Sequence, residues 1–262
     1  MTEQERERAI RLKLARSRHA PASAIPTGFP ALDAALGIGG LPRGRIVELF
    51  GPASCGKTSV ALLAAAHLQR NGMIAAWIDA DHAFDPGYAA GLGVAVERLA
   101  VAQPSSAEEA LEVGRRLAGT GALDLLVIDS AAALAPRLEL ETALGESGPG
   151  LQARILGSGL RRLAAVAVRT GCAVLVVNQA RGRAGAAALE PETSAGGPSL
   201  KLYSAVRIAL QPGAGVVRFR ILKNRVAAAF QEGELRPFSG GDARNARNTA
   251  LSDAPDQKNR EK

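Results

Sequence analysis

Eight consecutive residues, Gly51-Pro52-Ala53-Ser54-Cys55-Gly56-Lys57-Thr58, fit the pattern G-x-x-x-x-G-K-[ST] in full. The chemistry this pattern serves is phosphate binding. Its glycines let backbone N–H groups curl around phosphate oxygens, and the start of the following helix adds a favourable dipole. Lys57 can reach the β- and γ-phosphates of a nucleotide, the Thr58 hydroxyl can ligate Mg²⁺, and Ser59 continues the same turn. Cys55 holds a variable position and reads as a small filler rather than a redox group.

Three further groups could complete the chemistry. Leu125-Leu126-Val127-Ile128-Asp129 is an apolar run ending in an acid, which suits a carboxylate held at the end of a buried strand, beside Mg²⁺. The stretch Asp79-Ala80-Asp81-His82 follows a second apolar run and offers groups to orient an attacking water. Gln179 ends a third such run, where an amide can donate to a γ-phosphate oxygen and lose that bond on hydrolysis.

The elements that must position these groups follow from patterning. Arg45–Phe50, Ile74–Asp79, Leu99–Ala102, Leu125–Asp129 and Cys172–Asn178 are continuous apolar runs, the mark of parallel strands covered on both faces. Helices are expected between them: Lys57–Gln69, about Ala107–Ala118 with glutamates in the first turn, and Leu151–Arg169 with apolar positions at the helical period. The class is therefore α/β, a mostly parallel central sheet flanked by helices. Ala205–Leu210 and Val216–Leu222 alternate more and are split by QPGAG, which predicts an antiparallel hairpin at the sheet edge. Residues 3–18 read as a short charged helix, and the chain from about Gly240 as a disordered tail. The expected division is a helix and linker over 1–24, a core over 25–238 and a tail over 239–262.

Composition removes several classes. Two cysteines cannot build a disulfide framework or a Cys-rich zinc site, and the three histidines show no ligand spacing. No apolar run approaches membrane-spanning length, and the charged N-terminus has no signal-like core, so a soluble, cytoplasmic protein is expected. Aromatics are only 3%, which argues against binding bases mainly by stacking. The net charge of +7 is unevenly placed. Residues 21–150 hold eight basic and fourteen acidic side chains, whereas residues 151–230 hold twelve basic and two acidic. So concentrated a positive segment points to an anionic partner, nucleic acid first.

The chain resembles the RecA recombinase family over about residues 25–238, through IPTGFPALDAALGIGGLPRGRIVELFGPASCGKT, WIDADHAFDP, LLVIDSAAAL, VVNQAR, PETSAGG, LKLY and LKNRVAAAF. That resemblance implies a RecA-type P-loop NTPase core with ATP and Mg²⁺ as cofactors, single-stranded DNA as partner, and self-association through the ATP interface. Residue by residue it implies that Asp81 activates water, Gln179 couples the γ-phosphate to a DNA loop, and Asp85 and Tyr88 pack on the adenine. Lys223 and Arg225 match basic residues that a neighbouring subunit presents across the ATP. Two DNA loops would lie at about Thr142–Gly150 and Ala180–Gly197, the second bringing Arg181, Arg183, Glu192, Gly196 and Gly197. Arg154 and Arg161 match phosphate-contacting positions on the helix between them.

The sequence also departs from the family. The usual catalytic Glu is Asp81, one methylene shorter, which predicts slow hydrolysis. Gly148-Pro149 and Ala187-Ala188-Leu189 replace bulkier or aromatic loop residues, the segment before Ile25 is short, and a neutral tail stands where the family carries a duplex-gathering domain. Two readings follow: a DNA-dependent ATPase of recombination, DNA repair and the SOS response, or a non-filamentous ImuA-like accessory factor assisting damage-tolerant synthesis.

Overall fold

A computed structural model describes residues 23–142, 150–181 and 193–236. The expected helix at 3–18, the tail from 239, Arg183, Glu192 and most of both expected DNA loops lie outside the described residues.

The first elements are β1 (Ala24–Ile25), α1 (Pro30–Leu36) and β2 (Leu41–Pro42), with β1 and β2 forming a small antiparallel sheet. Then come β3 (Ile46–Gly51), α2 (Lys57–Arg70), β4 (Ala75–Asp79), α3 (Pro86–Gly91), β5 (Ala100–Ala102), α4 (Ala107–Gly119) and β6 (Leu125–Asp129). The rest are α5 (Arg137–Glu141), α6 (Leu151–Thr170), β7 (Ala173–Arg181), β8 (Thr193–Ser194), α7 (Pro198–Tyr203), β9 (Ser204–Pro212), β10 (Val217–Asn224) and β11 (Glu232–Leu235).

The main sheet runs β11-β10-β9-β3-β7-β6-β4-β5. Neighbours from β9 to β5 are parallel, while β10 and β11 are antiparallel additions. The apolar runs are continuous because each strand feeds two cores. In β6, Leu125 and Val127 join the layer under α1 and α2, whereas Leu126 and Ile128 join the layer under α4 and α6. Helix α2 is apolar nearly all round, with Val60, Ala61, Leu62, Ala65, Ala66 and Leu68 buried, as suits a helix packed on several sides. Helix α6 instead buries only the stripe Leu156, Leu160, Leu163, Val166 and Ala167.

The expected hairpin exists, but three features go beyond its pattern. A third strand, β11, pairs with β10 through Val217↔Leu235 to Arg220↔Glu232. Strand β7 continues to Arg181, past the expected end at Asn178, because β8 folds back on it with Ala180↔Ser194 and Arg181↔Thr193. The β1–β2 pair, too short to leave a pattern of alternation, buries Ile25 and Leu41 in the α1 layer.

Candidate nucleotide site and adjoining basic surface

Parallel strands end on the same edge of a sheet, so pairing alone gathers the polar residues at strand ends. Gly51 pairs with Gln179 across β3 and β7, and Asp79 with Asp129 across β4 and β6. The phosphate loop crosses this edge. Ser54 has φ +58° and Gly56, the residue capping α2, has φ +90°, so the loop coils tightly before the helix. Gly51 must lack a side chain: a Cβ there would stand 2.4 Å from the Leu210 carbonyl oxygen and 2.8 Å from Cys55 Sγ. Cys55 is buried against that glycine, and burial pushes its thiol up despite the Lys57 ammonium nearby, which suits a filler.

Lys57 is buried, and its Nζ donates to the Pro52 carbonyl oxygen at 2.5 Å. Thr58 Oγ1 donates to Asp129 Oδ2 at 2.8 Å, so two residues 71 positions apart meet as a pair of hard oxygen ligands. Burial, above all, pushes the Asp129 carboxyl up to about 6; Asp81 and Asp79 add to the rise, while the Thr58 hydrogen bond and Lys57 oppose it. A buried carboxylate hydrogen-bonded to a hydroxyl and facing two more acids fits Mg²⁺, whose charge would offset those causes.

This has a consequence for stability. The folded-state value lies above the ordinary carboxylate range, so folding favours the protonated form. The Asp129 contribution is fully present below about pH 4 and is lost as pH rises through about 6. Asp129→Asn should therefore raise the unfolding free energy of the ligand-free protein at pH 7.5, on the order of 2 kcal/mol, and gain little at pH 4. Urea unfolding at both pH values checks this; equal effects at the two would contradict it.

The two acids after β4 divide sharply. Asp79 is buried and fully engaged, accepting the Ala83 N–H at 3.1 Å, the Phe84 N–H at 3.0 Å and the Gln103 amide at 2.9 Å. It fixes the turn that carries its neighbour. Asp81 is exposed at the sheet edge and accepts the Ser130 hydroxyl at 3.0 Å. Of the candidates in Asp79-Ala80-Asp81-His82, the one facing the Asp129–Ser130 end of β6 is thus Asp81.

A cavity of about 490 Å³ opens beside the loop, lined by Ser54–Ser59, Tyr88 and the β9–β10 turn at Pro212, Gly213 and Gly215–Val217. Tyr88 is tied to α2 by a 2.7 Å hydrogen bond between its hydroxyl and Ser59 Oγ. Asp85, exposed beside Tyr88, caps α3: its carboxylate accepts the Tyr88 N–H at 3.0 Å, and Pro86 begins the helix. Its geometry therefore positions Tyr88. Nothing in QPGAG marks the turn as part of the site, because that pattern signals only a reversal of direction. That it folds over the phosphate loop depends on β9 lying next to β3.

Lys223 and Arg225 lie at the far end of β10. Val217 lines the cavity, whereas Lys223 pairs with Arg207, so about 20 Å of strand separates them. Lys223 Nζ donates to the carbonyl of Lys201 at 2.6 Å. These cations cannot reach the loop of their own chain.

Arg154 and Arg161 are exposed two turns apart on α6, on the face opposite its buried stripe. Arg181, Gly196 and Gly197 meet in a second cavity of about 500 Å³, with Gln152 and Lys201. Gly196, at φ +82°, is there for close approach: a Cβ would stand 2.6 Å from Leu156 of α6.

A parallel sheet whose carboxyl edge joins a phosphate loop, an acid-ended strand and a nucleotide-sized cavity defines an α/β P-loop nucleotide-binding protein. The model of the RecA N-terminal domain matches residues 3–240, and the chain belongs to the RecA family. It is similar to the protein RecA of Salinispora tropica, 48% identical over 221 residues, covering 80% of this chain and 64% of that one. Protein RecA of Amycolatopsis mediterranei is 47% identical over 234 residues, covering 86% and 67%. Protein RecA of Thermus thermophilus is 48% identical over 227 residues, covering 82% and 67%. The chain spans about two thirds of the length of these curated relatives. All three relatives bear the name Protein RecA, and none bears that of an accessory factor. Among the described residues, no helix is long and apolar enough to cross a membrane.

Proposed function

We propose that this protein is an ATP-dependent, single-stranded-DNA-binding ATPase of homologous recombination and DNA repair. The observation that carries the reading is the position of Gln179. It pairs with Gly51 at the phosphate loop, and its own carbonyl accepts the N–H of Ala195, on the wall of the basic cavity. One residue thus stands between a nucleotide site and a cationic surface.

The roles follow from position and chemistry. Lys57 and the loop amides hold the phosphates, and Thr58 and Asp129 would hold Mg²⁺, which when bound neutralises charge on the β- and γ-oxygens. Asp81 orients and deprotonates the attacking water. Tyr88 and the β9–β10 turn enclose the base, and Asp85 sets the angle of Tyr88. Lys223 and Arg225 act across a subunit interface, since their own phosphate loop lies out of reach; self-association through the ATP site follows. Arg154, Arg161 and Arg181 form a phosphate track that is blind to sequence. A cytoplasmic location accords with such a substrate.

The test is salt-dependent binding of single-stranded DNA with a non-hydrolysable ATP analogue present. Replacing both Arg154 and Arg161 with Ala should lower affinity by about tenfold or more and reduce the slope of log K against log salt by about 1.4, at about 0.7 per lost contact. Nucleotide affinity should hold. Unchanged DNA affinity would remove these residues from the track, and absence of any DNA binding by the parent protein would sink the function.

A further inference from the structure

Beneath the edge that joins the two sites lies a polar cluster that the roles above do not use. Glu48 of β3, Asn178 of β7 and Arg207 of β9 are all essentially without solvent contact. Glu48 Oε2 accepts Arg207 Nε at 2.5 Å, and Oε1 accepts Asn178 Nδ2 at 3.0 Å. The same Asn178 amide donates to the Ala195 carbonyl at 3.0 Å, and its Oδ1 accepts the Gln179 N–H at 2.9 Å. Arg207 also donates to Ser194 Oγ at 3.3 Å and lies 4.5 Å over the Phe50 ring.

Such a cluster needs a reason. Desolvating an ion pair costs about as much as the attraction returns, and apolar residues of similar volume commonly serve stability as well or better. What apolar residues cannot do is fix hydrogen-bond geometry. Here the cluster holds both sides of one short stretch. The Gln179 N–H is held by Asn178 and its C=O by the Ala195 N–H, while Ser194 and the Ala195 carbonyl are held by Arg207 and Asn178. Glu48 anchors both of those side chains and lies three residues before Gly51.

We infer that Glu48, Asn178 and Arg207 are positioning residues that lock the Gln179 backbone to the Ser194–Ala195 segment, so that a ligand engaging Gln179 changes the basic cavity rather than only the end of β7. The inference rests on the reading of Gln179 as the phosphate-facing residue. It assigns the coupling to a contiguous hydrogen-bonded path of three buried side chains, of which Arg207 also lines the basic cavity.

The test uses the full chain with Glu48→Leu and Arg207→Met together, which removes the pair without stranding a buried charge. Three quantities are measured: affinity for a fluorescent non-hydrolysable ATP analogue with Mg²⁺, hydrogen exchange at the Ser194 and Ala195 amides with and without that analogue, and the ratio of single-stranded-DNA affinities in the two states. In the parent protein the analogue should slow exchange at both amides and raise DNA affinity. In the double variant nucleotide affinity should stay within about twofold, the exchange response should vanish, and the DNA ratio should fall by about tenfold, within the usual range of coupling. Ser194→Ala, which removes only the Arg207 tie and threatens no core packing, should lower the ratio by about threefold. A merely structural role would lower thermal stability and leave exchange response and ratio intact. Full response in either variant overturns the inference, as does a parent protein that binds nucleotide with no change at Ser194 and Ala195. A parent protein that shows the exchange response but ignores DNA overturns the DNA reading and upholds this one.

Discussion

Lys57→Ala should reduce ATP turnover by about 10³-fold, the upper range for loss of one preorganised charge-stabilising donor. The reason is its isolation. Among the described residues lining the cavity, Lys57 is the one cation; the others are small, apolar or hydroxyl-bearing. Among the described residues, Lys223 lies about 20 Å of strand from the cavity and is bonded to the Lys201 carbonyl, so it cannot substitute. The ammonium is also held in place, since its 2.5 Å bond to the Pro52 carbonyl folds it back over the loop. Fold stability should change little, because Pro52 lies at an exposed position where water replaces the lost donor. Phosphate release and nucleotide titration read the two effects. Turnover above about a tenth of the parent value would remove Lys57 from the phosphate-binding role. Lys57→Arg should fail nearly as badly, because a planar guanidinium does not fit a site shaped for a compact point charge.

The contrast between Lys57 and Glu48 explains what was legible in the sequence. Lys57 belongs to a local motif whose spacing is set by one loop, so eight residues suffice to read it. Likewise, Asp79, Asp129 and Gln179 end apolar runs, and a parallel sheet brings such ends together without further instruction. The α/β class, the order of elements and the hairpin followed from the same patterns. Glu48 had a signal too. A lone acid inside RIVELF is a charge in a run otherwise suited to burial on both faces, and such a charge needs a partner. The partner, Arg207, lies 159 residues away on a strand whose place beside β3 no local pattern specifies.

The same limit applies to the cavity beside the phosphate loop and to the acids. Tyr88 was readable as a site residue, but its 2.7 Å bond to Ser59 and the closure by the β9–β10 turn depend on packing across the sheet. Asp79 and Asp81 are chemically alike and two residues apart. They separate because β4 ends at Asp79, whose carboxylate is taken up by the Ala83 and Phe84 N–H groups and the Gln103 amide, while the chain bends over residues 80–82 and leaves Asp81 exposed. Asp85 belongs with them: ahead of Pro86 it satisfies a helix end first, an option visible in the dipeptide itself.

Asp81→Glu should increase ATP turnover by about 100-fold while leaving nucleotide affinity nearly unchanged, since a displacement of about 1 Å at a reacting group can cost that much. The backbone around Asp81 is fixed from both sides. Ala80 donates its N–H to the Asp129 carbonyl at 2.7 Å, and Asp79 holds the N–H groups of Ala83 and Phe84. An added methylene therefore advances the carboxylate by about 1.5 Å instead of shifting the chain. It meets no core, because Asp81 is exposed. The present carboxylate is drawn back onto Ser130, with hydroxyl and N–H donors at 3.0 and 3.3 Å, and a longer arm would retain one of these while reaching further over the edge. Asp81→Asn keeps the shape and removes the base, so turnover should fall by about 100-fold or more. The pair of variants decides the role: a base held too far back gives opposite signs, whereas a carboxylate that only orders the Ser130 turn gives losses in both. A loss in Asp81→Glu would mean that the shorter acid and Ser130 are matched to each other, and that slow turnover, if found, has another origin.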